Sequence, residues 1–355
     1  MGDDIDAFAE KVFGSIQGAL ELAGIYLGDK LDLYRAVGES PSTSGELAER
    51  AGIHERYARE WLEHQAANGY LTVEDVGADH AARRYVLPAA HAAVLLDRDS
   101  IAYSAGIARA LVASLQAMPE LMEAFRTGGG VTWERFGDDM LSGQSDTNRP
   151  LFLSKLGSEW LPLLPQVDAA LRAGGRVADI GCGTGWSSIA IALAYPDATV
   201  DGFDIDEWSV DHARQNAVAM GVADRVTFHA LDAAEADPGD GYDLVQAIEC
   251  IHDMPYPSKV LASMRRLAAD RGLVMVVDEG VAERFEAPAN DVDRLMYGFS
   301  LLVCLPDGMS SPGSVGTGTV MRPDTLRRYA QEAGFADIEV LPISHDVFRA
   351  YRLTG

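Results

Sequence analysis

Residues 176–187 of the chain read RVADIGCGTGWS, and this stretch decides the fold of its surroundings. A short apolar strand runs into Asp179, three alternating glycines follow, and a helix-like segment comes directly after them. A strand, a glycine-rich turn and a helix in this order are the first elements of a nucleotide-binding α/β unit. Gly181, Gly183 and Gly185 permit positive φ angles and let the backbone approach a ligand closely.

The spacing D-x-G-x-G-x-G argues against the two commonest protein classes that contain such turns, P-loop proteins and dinucleotide-binding proteins. A P-loop requires a lysine after its last glycine, and a dinucleotide turn has the spacing G-x-G-x-x-G after an apolar residue. Asp179 would repel a pyrophosphate and attract a cation. A ligand with an adenosine and an ammonium group but no phosphate fits this chemistry. S-adenosylmethionine is such a ligand, and we expect Asp179, Gly181, Gly183 and Gly185 to bind it.

Length and composition indicate a globular protein of two domains. The chain has 355 residues, of which 48% are hydrophobic, and no run approaches 18 apolar residues, so no membrane helix is expected. The acidic N-terminus lacks the basic region of a signal peptide, and three widely spaced cysteines indicate a reducing, cytoplasmic setting. The formal net charge of −25 would repel nucleic acid and anionic membranes.

Residues 1–100 show the pattern of a mostly helical winged-helix domain. Helices are predicted over residues 5–26, from the capping box of Thr43 and Glu46, and over 54–66. Two short strands are predicted after them, around a polar loop. Helix, turn, helix and hairpin in this order are typical of a winged helix.

The charge of this domain does not favour DNA binding. Residues 1–100 contain 18 Asp and Glu against 9 Lys and Arg, and the helix expected in a groove carries three glutamates against two arginines. A helix that reads DNA normally brings basic side chains to the phosphates. We therefore expect no nucleic-acid partner. The domain should instead pack against the second domain, or against a partner subunit through the helix with Phe8, Val12 and Phe13.

Residues 101–149 are predicted to form a helical connector, and residues 150–355 an α/β domain. The glycine break at 128–130, beside Trp133, suits either a loop that closes over an apolar ligand or a plain interdomain turn. From residue 150 onward, strands alternate with helices, which is typical of a doubly wound sheet with parallel strands. Seven strands are expected, the last two near 338–341 and 347–352.

Polar side chains collect at the carboxyl ends of these strands, which form one ligand crevice in such a sheet. Asp204 ends the second strand, at the position where an acid accepts the ribose hydroxyls. Asp232 ends the third strand and is expected to accept from the adenine amino group, with Ile205 and Leu231 on either side of the ring. Glu249, after the fourth strand, completes the predicted cofactor contacts.

These motifs resemble those of class I S-adenosylmethionine-dependent methyltransferases, over residues 175–355. Over its full length the chain is similar to bacterial small-molecule methyltransferases with an N-terminal winged-helix domain. Related plant and polyketide O-methyltransferases dimerise through that domain. The resemblance therefore implies a seven-stranded Rossmann-like fold, a homodimer, and a winged helix that does not touch DNA.

His252 is the candidate general base for a hydroxyl acceptor. A neutral imidazole with its usual pKa of about 6.5 suits proton removal near neutral pH. The run from Cys250 to Met254 resembles the Cys-His-Asp-Trp segment of O-methyltransferases, in which the histidine is the base. The resemblance implies that Glu279, after the fifth strand, orients this base. Met254 replaces the family's tryptophan, and no second orienting acid is found near residues 321–322.

Other functions remain open at this stage. His252 and Asp253 could belong to a metal site, as in related C-methyltransferases, but only His345 is available as a third ligand, so no metal is expected. Carbon or nitrogen methylation, with His252 only positioning the acceptor, is one alternative. A winged-helix regulator that senses S-adenosylmethionine is another. An apolar helix over residues 291–305 indicates an apolar small-molecule acceptor, because this segment lines the acceptor pocket in the relatives.

Overall fold

The structure, a computed structural model, describes residues 2–355 and divides into two compact units. The first unit comprises the residues up to Ala113 together with Asp138–Pro150, and the second comprises Ser114–Gly137 together with Leu151–Gly355. The predicted connector is thus shared between the two units. Within the described residues, no helix has the length and apolar character needed to cross a membrane.

The N-terminal elements form a winged helix. They are α1 (Gly2–Lys30), α2 (Leu33–Gly38), α3 (Ser44–Ala51), α4 (Glu55–Ala67), β1 (Thr72–Val73), β2 (Tyr85–Val86), α5 (Ala89–Leu95) and α6 (Ala105–Gln116). The predicted capping box is confirmed: Thr43 accepts from the backbone N–H of Glu46, whose carboxylate accepts from the N–H of Thr43. Strands β1 and β2 pair antiparallel as the wing.

Buried apolar side chains hold this unit together, including Tyr34, Leu47 and Leu62. Helix α1 is fixed to α4 because the indole of Trp61 donates to the carbonyl oxygen of Gly24 at 2.9 Å. Most of the other apolar side chains of α1 are not covered. Those more than 40% exposed are Ile5, Phe8, Val12, Phe13, Ile16, Leu20 and Leu27.

The second unit contains a seven-stranded sheet flanked by helices. Its strands are β3 (Arg176–Ile180), β4 (Thr199–Asp204), β5 (Val226–Ala230), β6 (Tyr242–Ile248), β7 (Ala268–Glu279), β8 (Asp337–Val340) and β9 (Phe348–Thr354). The remaining α-helices of the chain are α7 (Met118–Thr127), α8 (Trp133–Leu151, interrupted at Gly137 and belonging to the first unit over Asp138–Pro150), α9 (Pro165–Arg172), α10 (Trp186–Ala194), α11 (Glu207–Ala219), α12 (Pro257–Leu267), α13 (Asp291–Phe299), α14 (Leu305–Gly308) and α15 (Pro323–Glu332). Two π-helical segments, Phe152–Trp160 and Ser300–Cys304, and two short 3-10 turns, Leu161–Leu163 and Ala233–Glu235, complete the unit.

The strand order is β5-β4-β3-β6-β7-β9-β8. Six strands run in the same direction, whereas β9 runs antiparallel to both its neighbours, so the sheet is mixed. The short connection between β8 and β9 explains the reversal, because a parallel pair needs a longer crossover.

Both faces of the sheet are buried, as a doubly wound fold requires. In β3, Val177 packs into one apolar core, and Ala178 and Ile180 pack into the other. The strands that follow β3 in the chain, β4 and β5, lie on one side of it, whereas β6 and β7 lie on its other side, so the strand order reverses between β3 and β6. In open α/β sheets, ligands bind at the carboxyl ends of the strands at such a switch point.

Candidate active site

The glycine turn after β3 adopts the predicted backbone conformation. Gly181, Gly183 and Gly185 have φ angles of +66°, +52° and +83°. A Cβ at Gly181 would lie 2.7 Å from the sulfur of Cys250, and one at Gly185 would lie 2.5 Å from the ring of Phe228. A Cβ at Gly183 would meet nothing within 4 Å. The turn is therefore packed by protein on two of its glycines and open at the middle one.

Asp179 has a different position from the one predicted. Its carboxylate is 1% exposed and accepts hydrogen bonds from the hydroxyls of Ser187 and Ser188, both at 2.6 Å, and from the amide of Gln246 at 3.1 Å. Burial raises its pKa, against the effect of these bonds. Direct attraction of a cation does not fit this geometry, because the carboxylate has no solvent-facing surface. Asp179 instead ties the turn to the start of α10.

Asp204 lies at the end of β4 and closes the glycine turn from the side. One oxygen accepts from the N–H of Gly183 at 2.8 Å, and the other accepts from the N–H of Asp206 at 2.9 Å. Burial raises the pKa of Asp204, and its backbone hydrogen bonds lower it. Ile205, the next residue, is 78% exposed, so an apolar side chain stands in solvent beside the turn.

The neighbouring strand end brings Leu231 and Asp232 close to this position. The N–H of Leu231 donates to the carbonyl oxygen of Asp204 at 2.9 Å, and its side chain is half-buried. Asp232 is exposed and caps a short 3-10 turn through a 2.8 Å bond from the N–H of Ala234. An exposed acid and two apolar side chains therefore line the edge next to Asp204.

Glu249 follows β6 with φ of +54°, in the left-handed region that a residue with a side chain rarely adopts. Its N–H donates to the carbonyl oxygen of Val277 at 2.9 Å. Strained backbone of this kind concentrates at functional sites.

His252 is buried, and each of its ring nitrogens faces a carboxylate. Nδ1 lies 2.9 Å from Asp278 and 3.2 Å from Glu279, and Nε2 lies 3.2 Å from Asp253. The predicted partner Glu279 is thus in contact, but Asp278 is nearer. Burial by itself lowers the pKa of His252, yet the charges of Asp253, Asp278 and Glu279 raise it well above its usual value.

The pKa values of the two acids at the end of β7 shift in opposite directions. Burial raises the pKa of Glu279 well above its usual value, and the neighbouring Asp278 charge adds to this. Burial also raises the pKa of Asp278, but the His252 charge and hydrogen bonds outweigh it and lower the pKa. Proton loss is therefore favoured at Asp278, which pairs with His252, relative to Glu279.

Two residues near His252 were missed by the sequence reasoning. The π-helical segment after α13 places Cys304 beside His252 and Asp253, with potential ligand atoms of all three within 4.8 Å of one another. His345, the only third ligand that the sequence offered for a metal site, stacks on Phe348 with ring centroids 4.9 Å apart. The structure therefore gives this group a different third member. His252, Asp278 and Glu279 form a second such group.

Asp307, in α14, is the second missed residue. Burial raises its pKa to about 7, and the charge of Asp253 contributes. Neither Cys304 nor Asp307 lies in a motif, and only the fold of residues 291–308 brings Cys304 to His252 and packs α14 against Asp253.

Comparison with known proteins identifies both parts of the chain. Residues 171–317 match a family model described as a methyltransferase domain. Residues 21–98 match one described as an Rv2258c-like winged HTH domain. The solved structure of mitomycin 7-O-methyltransferase superimposes with a TM-score of 0.73 and covers 100% of both chains at 21% identity.

Three curated relatives have related sequences. The chain is 33% identical to 27-O-demethylrifamycin SV methyltransferase of Amycolatopsis mediterranei, over 46% of this chain and 55% of that protein. It is 30% identical to the ubiquinone biosynthesis O-methyltransferase of Thiobacillus denitrificans, over 51% of this chain and 73% of that protein. It is 28% identical to the mitomycin biosynthesis 6-O-methyltransferase of Streptomyces lavendulae, over 82% of this chain and 83% of that protein. With its winged-helix N-terminal domain and its glycine turn, the chain belongs to the S-adenosylmethionine-dependent methyltransferases.

Proposed function

We propose that this protein transfers the methyl group of S-adenosylmethionine to a hydroxyl oxygen of an apolar small molecule. The observation that carries the proposal is the buried His252, held at Nδ1 by Asp278 and Glu279 next to the strand ends that would bind the cofactor. The names of the three relatives support it, since two of them are O-methyltransferases and the third methylates a demethylated rifamycin.

The residues around the glycine turn fit the cofactor. The open space over Gly183 leaves room for a ligand against the backbone. We assign the ribose hydroxyls to Asp204 and the adenine amino group to Asp232. The apolar side chains of Ile205 and Leu231 would flank the ring, and Glu249 lies at the next strand end.

When bound, S-adenosylmethionine supplies a methyl group activated by its sulfonium. The protein's own task is then to align the acceptor and to take its proton. The hydroxyl proton moves to Nε2 of His252, and Asp278 stabilises the imidazolium that results. Neighbouring acids raise the pKa of His252 well above its usual value, so its neutral form appears at higher pH than for an ordinary imidazole. We therefore expect methyl transfer to become faster as pH rises.

The test is release of S-adenosylhomocysteine with panels of phenols, keto acids and amines. H252Q should lower kcat on a phenol by about 10²- to 10⁴-fold, the usual contribution of a general base. H80Q, which changes an exposed histidine of the first unit, is the matched control. Full activity of H252Q between about pH 6 and 9 would disprove the base role, and turnover of amines or keto acids alone would assign nitrogen or carbon as the methylated atom.

We also propose that the protein is a homodimer that works without nucleic acid. The exposed apolar residues of α1 form one stripe at helical spacing, which suits a second copy of the chain. In α4 the arginines are paired with glutamates of the same helix, Arg56 with Glu60 and Arg59 with Glu55, rather than free for phosphates. Duplex binding that weakens with salt would favour the alternative of a regulator.

We place the protein in the cytoplasm, which its cysteines support. Cys182, Cys250 and Cys304 are free thiols, as a reducing compartment maintains them.

A further inference from the structure

The loop after β6 and the π-helical segment after α13 bring three metal-ligating side chains together. One ring nitrogen of His252, one carboxylate oxygen of Asp253 and the sulfur of Cys304 lie within 4.8 Å of one another. Nitrogen, oxygen and sulfur ligands in one site are typical of zinc, whereas Mg²⁺ and Ca²⁺ prefer oxygen ligands alone. The three side chains therefore have the chemistry of a zinc site.

The contacts of His252 leave one ring nitrogen facing the other two ligands. Nδ1 is hydrogen-bonded to Asp278 at 2.9 Å, and Nε2 lies 3.2 Å from Oδ1 of Asp253. With the proton of a neutral ring on Nδ1, Nε2 and Oδ1 are two acceptors face to face, and a proton or a cation has to lie between them. A carboxylate at the opposite nitrogen is also the usual partner of a metal-ligating histidine.

Oδ1 of Asp253 has the surroundings of a ligand atom. It is buried, and among the described residues it has no hydrogen-bond donor other than the imidazole that it faces. A buried carboxylate oxygen normally accepts hydrogen bonds or binds a cation. As whole residues, Asp253 and Cys304 are only half-buried, which leaves an entry path for an ion.

Close packing at two glycines holds the segment that carries Cys304. A Cβ at Gly308 would lie 3.0 Å from the carbonyl oxygen of Asp253, and a Cβ at Gly318 would lie 3.3 Å from the Cβ of Leu305. Cys304 is therefore fixed against the loop that carries Asp253. Zinc bonds of about 2.0–2.3 Å place tetrahedral ligand atoms about 3.3–3.7 Å apart, so the thiol has to approach by at most about 1.5 Å.

We propose that His252, Asp253 and Cys304 bind a zinc ion that inhibits methyl transfer. The ion would occupy the lone pair of Nε2, the atom assigned to the acceptor's proton, and so block removal of that proton. Burial raises the pKa of the Cys304 thiol to about 12, but a metal deprotonates the thiol that it binds, and the proton passes to solvent. The inhibition rests on the proposed function, whereas the ion site rests on the ligand geometry alone.

Cobalt is the probe for the site, because Co²⁺ accepts the same ligands as zinc and absorbs visible light. The full chain is dialysed against EDTA, freed of EDTA and titrated with Co²⁺ under nitrogen. We expect one equivalent to give the visible bands of a tetrahedral site and a near-ultraviolet thiolate-to-cobalt band. Zn²⁺ should abolish these bands and Mg²⁺ should not. Absence of the thiolate band in the parent protein would overturn the proposal.

The variant C304S should lose the thiolate band. It should also bind Zn²⁺ at least about 10²-fold more weakly, since even the loss of an outer partner of a metal ligand costs 10- to about 100-fold. C182S removes another free thiol, that of the glycine turn, and is the matched control that should keep both properties. A thiolate band that C304S keeps would overturn the site, and C304A repeats the test should C304S not fold.

Initial rates with a phenol acceptor test the inhibition. Zn²⁺ should slow the parent protein and C182S at the concentrations that displace cobalt, and EDTA should restore both rates. In C304S, the Zn²⁺ concentration that halves the variant's own rate should rise by at least about 10²-fold. Turnover that saturating Zn²⁺ leaves unchanged would refute this inference alone. A cobalt site in a protein that methylates no acceptor would refute the proposed function and leave the ion site in place.

Discussion

At the scale of single residues, the site depends on which acid sets the protonation of His252. Asp278 is the nearer partner and has a lowered pKa, whereas the pKa of Glu279 is raised. We expect D278N to lower the pKa of His252, because a stabilising negative charge is lost, and to move the acidic limb of kcat/KM to lower pH. We also expect kcat to fall by about 10²-fold or more, because the imidazole loses its orienting bond.

The matched control for this prediction is E279Q. It removes the acid that lies farther from Nδ1 and whose pKa is raised, so the acidic limb should move less than in D278N. Profiles of kcat/KM against pH for the parent and both variants make the comparison. Identical limbs for D278N and the parent would show that Asp278 does not set this pKa.

The positions of His252 and of the strand-end acids could be predicted from the sequence, but their partners could not. His252 and Asp204 follow from strand ends, which the alternation of apolar and polar residues reveals. The burial of Asp179 depends on the register of β3 beside β6, which places Gln246 opposite it. Such partners are non-local, and no local pattern encodes them.

At the scale of elements, the proposed cofactor contact at the glycine turn can be tested through its middle glycine. Gly183 has a positive φ angle and open space around its absent Cβ, as does Gly221 at the end of α11. Alanine at either position should cost about 1–2 kcal/mol of stability, because both backbones are left-handed. G183A should in addition weaken S-adenosylmethionine binding, because its methyl group enters the space proposed for the ligand. We expect a loss of affinity of about tenfold or more, which corresponds to about 1.4 kcal/mol of binding free energy.

Calorimetric titration with S-adenosylmethionine and thermal unfolding of both variants separate these effects. G221A controls for backbone strain alone. Equal affinity of the two variants for S-adenosylmethionine would mean that the ligand does not approach Gly183.

Residues 291–308 show where the prediction of elements from the sequence stops. Its apolar pattern predicts one helix over residues 291–305, whereas the structure has α13, a π-helical segment and α14 in succession. The widened turn brings Cys304 to His252 and is followed by Asp307. A π-helical segment has hydrogen bonds between residues five apart instead of four, so each of its turns holds an extra residue. Because the segment is short and stays apolar, the spacing of apolar residues in the sequence does not reveal it.

At the scale of the whole molecule, the acidic net charge opposes the association of two copies, whereas the apolar stripe of α1 favours it. Two copies that each carry a net charge of −25 repel one another, whereas burial of Phe8 and Phe13, now 66% and 60% exposed, favours association. We therefore expect a dimer that becomes tighter as salt rises from about 0.05 to about 0.5 M, because screening reduces the repulsion and leaves the apolar contact.

The variant with both F8E and F13E should be monomeric in sedimentation velocity runs at both salt concentrations, since two charges would have to be buried in the interface. V76E alters an exposed apolar residue elsewhere in the first unit and should leave the dimer intact. A parent protein that sediments as a monomer at high salt would remove α1 as the dimer contact. A dimer in the double variant would place the contact on another surface, because the stripe would then have lost its two largest side chains without effect.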